Sequence, residues 1–199
     1  MKNKGCLLLG LGAAGVLAVI VLIAVGKYNA MVDLDVDVNQ SWAQVQSAYQ
    51  RRAELIPNLV STVQGYADFE QETLTRVIEA RQQVTNVNVD PESLTAENFA
   101  QFQQAQGQLS SALSRLLVTV ERYPELKADQ RFADLQNELT STENQIKYER
   151  DNFNERAATY NKYVRRFPNN LFAGIYNFDV RSLFEAAPGS DVAPQVSFD

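Results

Sequence analysis

The sequence predicts an all-α protein: an N-terminal transmembrane helix followed by an antiparallel up-and-down four-helix bundle. Three observations carry this. Leu7 to Gly26 is a 20-residue stretch without a charged side chain. Beyond it, apolar residues recur at steps of three and four, the period of a buried helix stripe. The prolines fall between those runs, where helices start or stop. The expected organisation is a membrane anchor over residues 1–27, a bundle over 28–187 and a short exposed tail over 188–199, rich in Pro, Gly and Ser.

At about 1.5 Å per residue the leading stretch covers about 30 Å, the thickness of a bilayer's hydrocarbon core. A helix apolar on every side has no place on a soluble domain of this size. Lys2 and Lys4 resemble the basic start of a secretory signal, but the apolar run is too long and lacks a polar end, so an uncleaved anchor is expected. Cys6 has no hydrophobic run ahead of it, which argues against a lipid-modified cysteine. Lys2 and Lys4 before the span, against Lys27 after it, favour a cytoplasmic N-terminus and an extracytoplasmic body in the inner membrane of a bacterial cell. Gly10, Ala14 and Ala18 share one face of the span, a spacing that lets two membrane helices approach closely.

Four runs follow. The first, Tyr28 to about Leu55, steps through Met31, Leu34, Val38, Trp42, Val45 and Tyr49. Val32, Leu34, Val36 and Val38 alternate with aspartates as a strand would, but they sit between two helical patterns and are read as helix. The second run holds Leu59, Val63, Tyr66, Leu74, Val77 and Val84. The third holds Phe99, Phe102, Leu109, Leu113, Leu116 and Val120, with Gln106 as its polar step. The fourth runs from Phe132 through Leu135, Leu139, Ile146, Phe153, Ala157, Tyr160 and Val164 to Phe167. With Pro57 and Pro124 as turns, the helices are roughly 28, 30, 27 and 38 residues long. If both prolines are kinks instead, the chain forms one extended hairpin. A path kinked only at Pro57 gives three helices. Residues 85–95 read as a polar loop, with Asp90-Pro91 or Thr95 opening the next helix.

Composition narrows the chemistry. There is no histidine and Cys6 is the lone cysteine, which removes His-dependent acid–base chemistry, Ser/His and Cys/His nucleophiles, and zinc sites built from those ligands. Di-iron bundles need Glu-x-x-His and are excluded with them. A net charge of −6 argues against nucleic acid. No cofactor, metal or small-molecule substrate is expected.

Several strings stand out in order: Arg51-Arg52-Ala53-Glu54-Leu55-Ile56-Pro57-Asn58-Leu59-Val60, Glu121-Arg122-Tyr123-Pro124-Glu125-Leu126-Lys127-Ala128, Thr142-Glu143-Asn144-Gln145-Ile146, Tyr160-Asn161 and Phe167-Pro168-Asn169-Asn170. Together they resemble the LemA family of bacterial membrane-anchored helical proteins, from the anchor to about Phe178. Phe69 stands where members often carry His, and the Lys common near Gln64 is missing. The resemblance implies a single N-terminal membrane helix and an antiparallel four-helix bundle, and it supplies no reaction. Some relatives are associated with building specialised bacterial membranes.

Each motif has a structural reading. Arg51, Arg52, Pro57 and Asn58 fit a turn between helices, with Pro57 at the first position of the second and the arginines near the last carbonyls of the first. Glu143 and Asn144, with Thr142 and either Glu149 or Arg150, read as a polar core layer that fixes helix register. Arg165, Arg166, Phe167, Leu171, Phe172 and Tyr176 form an aromatic, basic segment that the four-helix and hairpin paths return to the lipid and the three-helix path would place far from it, a candidate contact for membrane or partner. The favoured function is a non-catalytic scaffold or assembly factor that self-associates or recruits other membrane proteins. The alternatives are a sensor with a ligand site in the bundle core, or an enzyme using buried carboxylates such as Glu143 or Glu149.

Overall fold

The computed structural model describes residues 2–66, 69–87, 89–91 and 94–185, with side chains from residue 11 onward. The described residues are mostly helical, without a strand among them. Six helices follow in order: α1 Lys2–Gln64, α2 Gln71–Asn86, α3 Ala96–Val120, α4 Pro124–Lys127, α5 Gln130–Arg165 and α6 Asn169–Tyr176. The expected exposed tail, 188–199, lies outside the described residues.

The apolar stretch and the first body helix are one unbroken helix of 63 residues. Its leading part is long and apolar enough to cross a membrane, and the window from Leu11 is uncovered by the rest of the chain. The strand-like alternation at Val32–Val38 is helical, with Val38 buried and Val36 exposed, so the alternation does not separate two faces.

Pro57 overturns the expected turn, since α1 runs through it to Gln64. A proline inside a helix lacks the N–H that would reach the carbonyl four residues back, here that of Ala53. Arg81 of α2 supplies the missing donor, its Nε donating to the Ala53 oxygen at 3.0 Å. The proline itself lies on the exposed side of α1, as does Asn58. The reversal comes later, beginning at Gly65, so α2 has 16 residues rather than the expected run from Leu59.

The other boundaries follow capping chemistry. Thr95 opens α3 by accepting from the Asn98 N–H at 3.3 Å. Pro124 starts the short α4 and so marks a turn between α3 and α5. Asp129 then caps α5, its Oδ1 accepting from the Phe132 N–H at 2.9 Å and its Oδ2 from the Tyr66 hydroxyl at 3.0 Å. Those hydrogen bonds, the backbone one first, hold its carboxyl below the ordinary value. Asn177, at φ 58°, ends α6 in the left-handed conformation that asparagine tolerates.

α5 lies antiparallel along α1, because Asp37 meets Arg156, Arg52 meets Glu143 and Tyr66 meets Asp129. α2 lies antiparallel to α3, with Glu70 before α2 pairing Arg122 beyond α3. Two hydrophobic clusters result. A distal one gathers Ile56, Leu59, Val63, Leu74, Val77, Leu109, Leu116, Leu126 and Phe132. A proximal one, nearer the apolar stretch, gathers Met31, Trp42, Phe99, Phe102, Phe153, Tyr160 and Phe184.

Candidate functional site

Between the two clusters lies a polar node centred on Arg52. Its position in α1 turns it inward, and the residue is 2% exposed. One terminal nitrogen donates to Glu143 Oε2 at 2.9 Å and to Ser110 Oγ at 3.0 Å. The other donates to Gln106 Oε1 at 2.7 Å and to the Gln106 carbonyl at 3.4 Å. The guanidinium also lies 5.0 Å from the centre of the Tyr49 ring. Burial pushes the Tyr49 phenol up, with Arg150 and Arg52 opposing it. One side chain of α1 thereby ties α3 to α5, and Gln106, the polar step in an otherwise apolar stripe, is its partner.

This corrects the turn reading of the arginines. Arg52 sits well inside α1 and reaches across to two other helices, while Arg51 is exposed. The expected polar layer is only partly where sequence put it. Glu143 reaches Arg52 but its side chain is 61% exposed, and Asn144 is exposed. The buried members on α5 are Thr142 and Glu149, the latter accepting from Gln145. Glu143 is thus not the buried carboxylate an acid–base mechanism would need.

A second feature was missed by sequence reasoning. After α6 the chain runs back along α5 as an extended strap, fixed by two asparagines. Asn161 donates to the Arg181 carbonyl and accepts from the Arg181 N–H, both at 2.8 Å. Asn154 does the same with Phe184, at 2.9 and 2.8 Å. Seven helical residues rise about 10.5 Å and three extended residues cover about 10 Å, so the two spacings match. Each amide satisfies a strap residue as a neighbouring strand would. Phe184 enters the proximal cluster, with ring centres 4.7 Å from Phe99, 5.6 Å from Phe153 and 6.1 Å from Trp42. Arg181 pairs with Asp35 of α1 at 2.7 Å.

The third feature lies where α1 leaves its apolar stretch. Tyr28 packs edge-on against Tyr176 and Phe178, at 5.0 and 5.8 Å between ring centres. Lys27 lies over the Tyr163 ring at 5.7 Å. Asn169 closes the joint between α5 and α6, its amide donating to the Tyr163 carbonyl at 3.0 Å. The segment therefore divides. Phe172 packs against the proximal cluster and Tyr176 against Tyr28. Phe167, Leu171 and Ile175 stay exposed, as do Arg165 and Arg166.

In the span, Ala14 and Ala18 are exposed, and the surroundings of Gly10 lie outside the described residues. Among the described residues no group of three or more acidic, His or Cys side chains is arranged to hold a metal. Among the described residues, one open groove lies between α2 and α3 and another between α3 and α5 with Arg52 beneath it.

The LemA family model matches residues 41–198. Protein LemA of Metamycoplasma hominis is 24% identical over 163 residues, covering 82% of this chain and 71% of its own length. Magnetosome protein MamQ of Magnetospirillum gryphiswaldense is 25% identical over 190 residues, covering 85% of this chain and 70% of its own. Magnetosome protein MamQ 2 of Paramagnetospirillum magneticum is 25% identical over 203 residues, covering 91% and 75%.

Proposed function

This chain belongs to the LemA family, and from that premise we propose that it is a membrane-anchored, non-catalytic scaffold or assembly factor in the bacterial inner membrane. The supporting observation is the continuity of α1: an uncovered apolar stretch runs without a break into a helix whose inner face joins both clusters. A body built that way is carried by its anchor rather than tethered to it. The antiparallel pairings of α1 with α5 and of α2 with α3 support reading the body as an up-and-down four-helix bundle. The polar interior supports a structural role, since the buried Arg52 joins Gln106 and Ser110 of α3 to Glu143 of α5. The relatives named as magnetosome proteins support a task tied to a specialised compartment.

On this reading the body works by contact, with further copies or with other membrane proteins, and faces the extracytoplasmic side. Gly10, Ala14 and Ala18 supply a close-approach face for a second span. Chemical cross-linking in native membranes, followed by identification of the trapped proteins, tests it. A recurrent homo-oligomer or one consistent partner is expected, and a strictly monomeric, partnerless species overturns it. Protease accessibility in intact cells tests the sidedness, with the body cleaved once the outer barrier is opened.

A further inference from the structure

We propose that α6 is an interfacial foot, which lies in the headgroup layer and holds the base of the body on the bilayer surface. The proposal rests on the anchor reading above. Its own ground is the position and the two-sidedness of the segment. Tyr28 follows the apolar stretch at once, and the contact with Tyr176 fixes the end of α6 beside it. An eight-residue helix is about 12 Å long, so all of α6 lies within about two helical turns of where α1 leaves the lipid.

The inner side of α6 is already occupied. Ala173 is buried, Phe172 is half-buried against the proximal cluster, and Tyr176 packs on Tyr28. The other side carries Leu171 and Ile175, four residues apart and 56% and 70% exposed, and Phe167, two residues before the helix, is 77% exposed. Large apolar side chains grouped on one short helix face require a covering. The span already brings lipid to this end of the molecule, and the neighbouring charges suit its phosphates. Arg165, Arg166 and Lys162 are exposed at the joint between α5 and α6. Aromatic, aliphatic and basic residues in that combination match the boundary between acyl chains and headgroups.

The test uses the full chain in vesicles of phosphatidylcholine and phosphatidylglycerol, with a fraction of the lipid brominated on its acyl chains. Trp42 is the sole native tryptophan and is buried. It lies about 22 Å along α1 from Lys27, beyond contact with the quencher. Single Leu171→Trp and Ile175→Trp variants place a reporter on the exposed face, Val118→Trp places one at an exposed distal position, and Ile20→Trp places one in the span. The added emission at 171 and 175 is expected to fall roughly twofold or more, as at position 20, while that at 118 and at Trp42 is unchanged. Quenching at 20 without quenching at 171 and 175 overturns the foot and leaves the anchor standing. No quenching at 20 overturns the anchor, and the foot with it. Thermal unfolding of each variant within a few degrees of the parent keeps misfolding apart from exposure. Arg165→Glu with Arg166→Glu should weaken quenching at 171 in vesicles rich in phosphatidylglycerol. Unchanged quenching there removes the arginines from the proposal.

Discussion

Replacing Arg52 by alanine tests whether the node holds the three helices in register. The substitution keeps helix propensity, so the loss comes from the contacts. A hydrogen bond from a charged donor contributes about 1.5–3 kcal/mol net, and stranding a buried polar partner costs about 1–3 kcal/mol. Gln106 is that stranded partner, since it is buried and loses the guanidinium beneath both of its oxygens. Glu143 is exposed and simply regains water. The cation's own desolvation cost disappears with it, which offsets part of the loss. The net expectation is about 3–4 kcal/mol, within the range for breaking one side of a buried pair. Glu143→Gln should cost under about 1 kcal/mol, since one partner is solvated and Arg52 keeps Gln106 and Ser110. Urea unfolding of the full chain in mild detergent, followed by far-UV circular dichroism and by Trp42 fluorescence, reads both values. Equal losses in the two variants would show that the ion pair, not the buried network, carries the energy. A loss below about 1 kcal/mol for Arg52→Ala would remove the node as an organising element.

Three further outcomes follow from the packing. Arg81→Ala should destabilise by about 1–2 kcal/mol with Pro57 present but by much less in a Pro57→Ala background, where the restored backbone N–H reaches the Ala53 carbonyl from within α1; a double-mutant cycle without coupling would refute the compensation. Phe184→Ala should cost about 3–4 kcal/mol and free the strap, seen as iodide quenching of Trp42 that the parent resists; a Trp42 still shielded would mean the strap is not its cover. Burial, with the Asp35 carboxylate second, pushes the Tyr160 phenol up to about 12 from the usual 10.0. Its contribution is therefore complete below pH 10 and falls as pH climbs to about 12, by about 2–3 kcal/mol. Tyr160→Phe should flatten that alkaline decline, and identical slopes in parent and variant would refute the assignment.

The helical class and the apolar lead were legible because both are local patterns. Steps of three and four name the buried face of α3 and α5 almost residue for residue, and Thr95 announces its helix start through its side-chain oxygen. Pro57 misleads because the deciding atom lies elsewhere. A proline after a helical run is a break on local chemistry, and only the Arg81 guanidinium, brought alongside by the reversal of α2, makes continuation acceptable. No spacing rule links residue 81 to the carbonyl of residue 53. The joint is signalled instead by Gly65, whose N–H bonds the Thr62 carbonyl as α1 ends.

The site divides in the same way. Gln106 is visible as an interruption of an apolar stripe, but its partner is not, because Arg52 looks like a capping residue at a helix end that does not exist. The strap has a weak signature in Asn154 and Asn161, two helical turns apart on α5, but such a pair on a helix points to nothing until an extended segment lies beside it. The physical consequence concerns stiffness. α1 spans about 95 Å as one rod, and its weakest point, Pro57, is braced by Arg81 while α5 runs antiparallel along its body. The described chain has no joint between the apolar stretch and the distal turn, so a tilt of one end moves the other. On the proposed scaffold reading that rigidity sets the height of the body above lipid, whereas a protein that opens and closes would place a hinge at Lys27 or Pro57, and α1 continues through both.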